Sequence, residues 1–295
     1  MQARLIVYPP DQAAIARALR PGETVSIGRA PDCDLFVAHA SISRRHALLE
    51  FEQGLWRLRD LDSKNGSFVD GIEAGARGLA LDGTCWLRLG DVYCEFAPLA
   101  DEQIAAAERG QIARRAVAAA HTARLEGVQG LGDLLDGSLR AVVELAQCER
   151  GFVLLEDGAG YRVRASLALD PGRLGAREFG GSVGAVRKAL ELRRAVVAND
   201  IGREAWLASR DSVIAAGLSA LVCLPLLDGE RTLGALYADR VRPGPAITTL
   251  DLELLEAFTE GAAVWIAACR TSEQLDAQLA SASWDGILAA HDGDA

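Results

Sequence analysis

Residues 25–71 read VSIGRAPDCDLFVAHASISRRHALLEFEQGLWRLRDLDSKNGSFVDG, and this stretch decides how the N-terminal third of the chain is interpreted. Short apolar runs within and around it, such as TVSIG (24–28), LWRLRDL (55–61) and VYCEF (92–96), alternate with turn residues. Many short strands separated by Asp-Gly and Asn-Gly turns are typical of a β-sandwich. Residues 1–98 are therefore predicted to form an all-β sandwich domain.

Polar and cationic side chains are concentrated between these predicted strands. Arg29 and Arg44 carry guanidinium groups, whose geometry suits the oxygens of a phosphate. Ser43 adds a hydroxyl and Lys64 a point charge, while the Asn65 amide can both donate to and accept from a peptide backbone. Because loops of an all-β scaffold meet at its ends, the pattern predicts a local cationic pocket for one phosphorylated residue.

The order of these residues resembles that of a forkhead-associated (FHA) domain, whose pattern is Gly-Arg, Ser-x-x-His and Asn-Gly at similar separations. The resemblance covers about 1–98 and implies a sandwich that binds phosphothreonine peptides. It implies that Arg29 and Ser43 contact the phosphate, helped by Arg44. Asn65, with Lys64 beside it, is expected to hold the main chain of the peptide. Three further residues are expected to shape the loops rather than touch the ligand, namely Gly28, His46 and Gly66.

Each of these residues also has an ordinary explanation when taken alone. Arg29 fits a solvated surface charge, Asn65-Gly66 fits a simple turn, and His46 fits a hydrogen-bonded core histidine. The ordered combination favours the phosphopeptide site. A domain can nevertheless keep its fold and lose its ligand, so a vestigial site is the alternative.

Composition excludes several classes of protein. The chain has 295 residues and a net charge of −10, from 41 acidic and 31 basic residues, which argues against a general nucleic-acid binder. No apolar stretch approaches the ~20 residues that cross a bilayer, and no leader pattern opens the chain, so a cytoplasmic location without membrane contact is expected. A P-loop needs a lysine after glycine, and neither Lys64 nor Lys188 follows one.

The cysteines indicate a reducing compartment. None of the six lies in a Cys-x-x-Cys pair, which favours thiols in the protein core over disulfides or a zinc site. They are Cys33, Cys85, Cys94, Cys148, Cys223 and Cys269. With only four histidines in the chain, no metal and no cofactor is expected.

The pattern changes after residue 98. Residues 99–130 are rich in Ala, Glu and Arg and are predicted to form a helical linker. Residues 131–270 alternate between helical and strand patterns, which predicts an α+β domain with helices packed on an antiparallel sheet. Residues 271–295 are expected to hold the end of the last helix and a tail.

Residues 131–270 resemble a GAF domain, a small-molecule sensor or dimerisation module. The resemblance is carried by FVLLE (152–156), FGGSVGAVRKALELRRAVVANDI (179–201), LSALVCLPLLDGERTLGALYADR (218–240) and ITTLDLELLEAFTEGAAVWIA (247–267). It implies a pocket between the sheet and the covering helices. Asn199, Asp200 and Trp206 are candidates for the mouth of that pocket, although a turn and a helix-packing tryptophan are the favoured explanation.

The ligand of such a pocket is left open. Members that bind cyclic nucleotides carry an Asn-Lys pair, whereas this chain has Asn199-Asp200. Bilin and haem binding both call for a histidine, and none lies between His121 and His291. An unidentified small molecule, or no ligand, remains.

Two enzymatic interpretations are disfavoured. Gly180 to Gly184 matches Gly-x-Ser-x-Gly, but the only later histidine is His291, so a catalytic triad cannot be completed. Ser182 is instead predicted to cap the following helix. A methionine-sulfoxide reductase of the GAF type needs a reactive cysteine, and Cys223 lies within an apolar strand pattern that disfavours its thiolate.

The sequence therefore predicts a non-enzymatic cytoplasmic signalling adaptor. The FHA-like domain would bind a phosphothreonine-containing partner, and the GAF-like domain would sense a small molecule or dimerise. Helices at 100–127 and 249–281 flank the GAF-like region and could pair in a homodimer. The alternative is an oligomerisation scaffold with a vestigial phosphate site and no GAF ligand.

Overall fold

The computed structural model describes residues 2–128, 130–158, 160–169, 182–199 and 218–281, with side chains up to residue 276. Its N-terminal region contains the following strands: β1 (Gln2–Tyr8), β2 (Ile15–Leu19), β3 (Thr24–Gly28), β4 (Leu35–Phe36), β5 (Ala47–Glu52), β6 (Leu55–Asp60), β7 (Ser67–Val69), β8 (Ile72–Glu73), β9 (Leu79–Leu81), β10 (Cys85–Leu89) and β11 (Val92–Leu99). They form a six-stranded sheet, β2-β1-β11-β10-β7-β8, and a five-stranded sheet, β4-β3-β5-β6-β9.

The core of this region lies between the two sheets. Along β10, Cys85, Leu87 and Leu89 are buried while Trp86 and Arg88 are half-exposed, as expected for a strand with one covered face. Trp56 and Phe96 are among its largest fully buried side chains. The predicted all-β sandwich is confirmed.

The C-terminal region is an α+β fold, also as predicted. Its helices are α1 (Asp101–Leu125), α2 (Leu131–Leu145), α3 (Val183–Leu192) and α4 (Thr249–Ser281). Its strands are β12 (Arg150–Asp157), β13 (Gly160–Leu167), β14 (Val196–Asn199), β15 (Ala220–Asp228) and β16 (Arg231–Arg240). The sheet order is β13-β12-β16-β15-β14, and β12 pairs antiparallel with both neighbours.

Hydrogen-bonded polar side chains are buried in the sheet of the C-terminal region. Tyr237 and Asp239 are fully buried, and the Tyr237 hydroxyl donates to Asp239 Oδ2 at 2.7 Å. Arg150 pairs with the Asp239 carboxylate through Nε, and the Phe152 ring stacks on Tyr237 at 4.9 Å between centroids. Pairing with Arg150 compensates the cost of removing the Asp239 charge from water.

The chain divides into two compact units. The first comprises Met1–Ala116, Val196–Val222 and Arg240–Glu253, and the second Val117–Ala195, Cys223–Asp239 and Leu254–Ala295. The domain limits at 98, 130 and 270 stay predictions. Among the described residues, no helix combines the length and the apolar character needed to cross a membrane.

Candidate functional site

Three loops of the sandwich meet at one end of the five-stranded sheet. Antiparallel pairing places Ile27 of β3 opposite Ala47 of β5, and Ala47 opposite Asp60 of β6. The end of β3, the start of β5 and the end of β6 therefore lie side by side. The connections that begin or end there are residues 29–34, 37–46 and 61–66, and they carry the site residues predicted from the sequence.

Arg29, Ser43 and Lys64 are brought together by hydrogen bonds between these loops. Arg29 N–H donates to the Ser43 carbonyl at 2.9 Å, and Arg29 Nε–H donates to the Ile42 carbonyl at 3.2 Å. The Ser43 hydroxyl oxygen accepts the backbone N–H of Lys64 at 3.0 Å. The guanidinium of Arg29 is thus oriented beside the Ser43 loop while its side chain stays exposed.

His46 forms hydrogen bonds to two of the loops. It is fully buried, its Nδ1 accepts the Ser43 N–H at 3.0 Å, and its Nε2 lies 3.2 Å from the Gly66 carbonyl oxygen. Because Nδ1 accepts, the proton sits on Nε2 and is donated to Gly66. Burial lowers the pKa of His46, against the opposing effect of the Gly66 hydrogen bond, so a neutral imidazole fits this position.

Gly28 is required by a close approach of the backbone. A Cβ added to Gly28 would lie 2.2 Å from the Arg44 carbonyl oxygen and 2.8 Å from Cys33 Sγ. That same carbonyl accepts the N–H of Ala30 at 3.0 Å. Gly28 therefore lets the 43–46 loop pass directly over the end of β3, while the Arg44 side chain remains exposed.

Asn65 is held by a residue that the sequence did not single out. Its Nδ2 donates to the Ser41 carbonyl at 2.8 Å. The Ser41 hydroxyl oxygen in turn accepts the Asp91 N–H at 2.9 Å and lies 2.8 Å from His39 Nδ1. Ser41 thereby joins the Asn65 loop to the β10–β11 turn, and only long-range contacts reveal this role.

Asp60 is a second supporting residue that the sequence reasoning missed. Its carboxylate accepts hydrogen bonds from Ser63 N–H at 2.8 Å, from the Ser63 hydroxyl at 2.7 Å and from the Ser67 hydroxyl. Burial alone would raise the pKa of Asp60, but these hydrogen bonds outweigh it and the pKa is lowered. The ionised carboxylate fixes both ends of the Lys64–Gly66 turn, in which Gly66 has a φ of 72°.

Two family models match the chain. Residues 25–90 match the FHA domain and residues 130–266 match the GAF domain. The chain carries an FHA domain followed by a GAF domain. The loops described above thus belong to the FHA domain, and the sheet formed by β12 to β16 belongs to the GAF domain.

Curated relatives match within the FHA domain. The glycogen accumulation regulator GarA of Mycolicibacterium smegmatis is 38% identical over 66 residues, which is 22% of this chain and 42% of the relative. The oxoglutarate dehydrogenase inhibitor of Corynebacterium efficiens is 35% identical over 66 residues, 22% of this chain and 46% of the relative. The matched segments span less than half of either relative.

A solved structure matches the same part of the chain. The crystal structure of the FHA domain of CT664 from Chlamydia trachomatis is 25% identical, with a TM-score of 0.32. The match covers 34% of this chain and 100% of that domain.

The GAF domain contains one described candidate for a pocket mouth. Asn199 Nδ2 donates to the Ile247 carbonyl at 3.1 Å, and Asn199 Oδ1 accepts the Ile247 N–H at 2.8 Å. These contacts give Asn199 a structural role in joining β14 to the segment before α4. Asp200 and Trp206 lie outside the described residues.

The structure also bears on the two enzymatic interpretations. Ser182 caps α3, because its side chain accepts the Ala185 N–H at 3.1 Å, as predicted. Its backbone N–H is used as well, donating to the Tyr237 hydroxyl at 3.0 Å. Burial raises the pKa of Cys223 to about 12, which leaves its sulfur protonated near neutral pH and a poor nucleophile.

A surface cleft of the GAF domain lies between β15 and α4. It has a volume of about 180 Å³, and its apolar lining residues include Leu224, Pro225 and Leu227. Arg194 and Glu260 are among the charged residues that line it. A mainly apolar lining with a few polar or charged groups is a common form of small-molecule site.

Proposed function

We propose that this protein is a non-enzymatic signalling adaptor whose FHA domain binds a phosphothreonine-containing protein. The observation that supports the proposal is the convergence of Arg29, Lys64 and Asn65 on residues 41–43, through two backbone carbonyls and the Ser43 hydroxyl. Their hydrogen bonds give a cation, a hydroxyl and an amide one shared site at the end of the sandwich.

The phosphate would be held by Arg29 and Ser43, with Arg44 assisting. Arg29 Nε–H is used on the Ile42 carbonyl, which sets the plane of a guanidinium suited to phosphate oxygens. The Ser43 oxygen accepts from Lys64, so the single hydroxyl hydrogen can be donated to the ligand. Local positive charge on a chain of net charge −10 favours one phosphate over an extended polyanion.

The peptide main chain would be held by Asn65. Its Nδ2 donates to the Ser41 carbonyl, and this hydrogen bond fixes the orientation of the amide. Asn65 Oδ1 would then accept a hydrogen bond from an N–H of the peptide main chain. Lys64 lies beside it, exposed, where it can add attraction for the phosphate. Phosphate recognition combined with main-chain recognition is what a modified peptide requires.

The names of the relatives support a regulatory role. One is called a regulator and the other an inhibitor, and in both the similarity lies within the FHA segment. The GAF domain of this protein would sense a small molecule or form a homodimer. Native mass spectrometry of the protein purified from its own cells would detect either a retained ligand or the dimer mass.

The experiment for the FHA domain is a binding titration. A degenerate phosphothreonine peptide library and its unphosphorylated form are titrated into wild type, Arg29→Ala and the control Arg20→Ala. Arg20 is exposed in the β2–β3 connection, at the opposite end of β3 from Arg29. Loss of a charge-assisted hydrogen bond costs about 1.5–3 kcal/mol, so Arg29→Ala should bind about 10- to 150-fold more weakly.

Two results would contradict the adaptor. If wild type bound both peptide libraries equally, phosphate would not be recognised. If wild type and Arg29→Ala were equally weak, the phosphate site would be vestigial and the scaffold alternative would be preferred.

A further inference from the structure

The outer face of the six-stranded FHA sheet has an unusual composition for a surface. Its strands place Tyr8, Trp86, Tyr93 and Phe68 on the side away from the core, each partly exposed. Tyr8 and Trp86 contact each other with ring centroids 5.8 Å apart, and the Arg88 guanidinium lies 3.8 Å from the Phe68 ring centroid. Aromatic residues and arginine are enriched in protein interfaces over other surfaces.

The charges of this face balance one another. Arg4 pairs with Glu95 at 3.6 Å, and the Tyr8 hydroxyl donates to Glu95 at 3.3 Å. The register places Glu73 on the same face, directly opposite Phe68, and Arg88 provides the second positive charge. Two bases and two acids therefore leave the described face without net charge, although the whole chain carries −10.

The two halves of the face differ in the size of their outward side chains. On the β2 side the outward residues are Ala16 and Ala18, both exposed. On the β10 and β7 side they are Trp86, Arg88 and Phe68. Because alanine side chains are much shorter than those of Trp, Arg and Phe, we call the β2 side the shallow half and the β10–β7 side the raised half.

We propose that this outer face binds the same face of a second copy of the chain. A two-fold axis parallel to the strands would place the raised half of one copy over the shallow half of the other, as an isologous interface requires. Two copies that each carry −10 repel least where the contact surfaces are neutral.

This proposal does not depend on phosphopeptide binding, because none of its residues is one of those proposed to hold the phosphate or the peptide. It also differs from dimerisation by α1 and α4, because it uses a different surface of the chain. A measured dimer is therefore insufficient by itself, and the experiment must locate the contact.

The contact is located by replacing Ala16 with the photocrosslinking residue p-benzoylphenylalanine in the full chain. Illumination should give a covalent dimer, and mass spectrometry should join residue 16 of one copy to the β7 or β10 peptides of the other. The same replacement at Phe36, an exposed aromatic of the other sheet, is the control and should give no such dimer. Absence of the crosslink from residue 16, or its mapping to other segments or to a different protein in cells, would overturn the proposal.

A charge variant provides the independent test. Ala16→Glu places an acid at the shallow half and should raise the Kd of FHA-mediated self-association at least about tenfold in sedimentation experiments. Ala80→Glu, at an exposed alanine of β9 in the other sheet, should leave it unchanged. Because both alanines are exposed, neither change threatens the fold, and equal Kd values for the two variants would contradict the proposed interface.

Discussion

The hydroxyl oxygen of Ser43 accepts the backbone N–H of Lys64 at 3.0 Å, across two loops that are 21 residues apart in the chain. The bond does two things at once. It holds the Lys64–Asn65 turn against the Ser43 loop. Because the Ser43 oxygen is the acceptor in this bond, its hydroxyl hydrogen can still be donated to a bound acceptor. Ser43, which is proposed to contact the phosphate, is therefore also part of the scaffold of the candidate site.

Replacing Ser43 should consequently weaken phosphopeptide binding more than it weakens the fold. Ser43→Ala removes a hydrogen bond to a charged ligand, worth about 1.5–3 kcal/mol, whereas Ser43→Thr keeps the hydroxyl. We expect fluorescence anisotropy to show about a 10-fold or larger loss of affinity for Ser43→Ala and a smaller loss for Ser43→Thr. Equal affinities of wild type and Ser43→Ala would exclude a phosphate contact at this hydroxyl.

Gly28→Ala should destabilise the FHA domain. Its Cβ would lie 2.2 Å from the Arg44 carbonyl oxygen, so the 43–46 loop must shift, at a cost of about 1–3 kcal/mol for overpacking. Gly75→Ala is the control, since a Cβ there meets nothing within 4 Å. Thermal unfolding should show a lower Tm for Gly28→Ala alone, and matching Tm values would mean that the loop yields freely.

The neutral state of His46 predicts a pH dependence of stability. Burial lowers the pKa of His46 in the folded protein below its ordinary value of 6.5. On acidification through about pH 6.5 the unfolded chain binds the proton first, so the free energy of unfolding falls as the pH falls. Above that range both states are neutral and this contribution does not vary.

The measurement is urea unfolding between about pH 8 and pH 5, around the ordinary titration of histidine. His46→Gln removes the titrating group while keeping an amide that can reach Gly66. We expect the stability of this variant to depend less steeply on pH than that of wild type. Parallel curves for the two proteins would show that His46 does not titrate as its surroundings indicate.

Tyr237→Phe should destabilise the GAF domain. The Tyr237 hydroxyl accepts the Ser182 N–H at 3.0 Å and donates to Asp239 at 2.7 Å. Without it, two polar groups lose a partner, at a cost of about 1–3 kcal/mol. Tyr161→Phe is the control, because Tyr161 is 45% exposed. Chemical denaturation should give this control variant a free energy of unfolding close to that of wild type. A Tyr237→Phe protein as stable as the control would indicate that water replaces the hydroxyl.

The buried thiols should resist modification in the native state. Burial raises the pKa of Cys85 and of Cys223 to about 12 and raises the pKa of Cys94 further, so little thiolate forms at about pH 8. Ellman's reagent should leave these three sulfurs unmodified until guanidinium is added. Rapid reaction of Cys223 in the folded protein would reopen the interpretation as a sulfoxide reductase.

Much of the fold could be predicted because it depends on local patterns. Alternation along β10 and the helix-forming composition of α1 appear directly in the residue order, and both elements form as the patterns indicate. The N-cap role of Ser182 was also predictable, since it needs only the backbone three residues later. Asn199 was ambiguous, because its contact with Ile247 spans 48 residues.

The sequence by itself determined the two domain types and the candidate ligand residues Arg29, Ser43 and Asn65, because these follow from residue type and spacing. Only the tertiary structure decided how those residues are held. Ser41 supports Asn65 across 24 residues and bonds Asp91 across 50, and the sheet order places Ala16 and Trp86 on one face. Such relationships join groups distant in the chain, so they exist only once hydrophobic burial and strand pairing have brought those groups together.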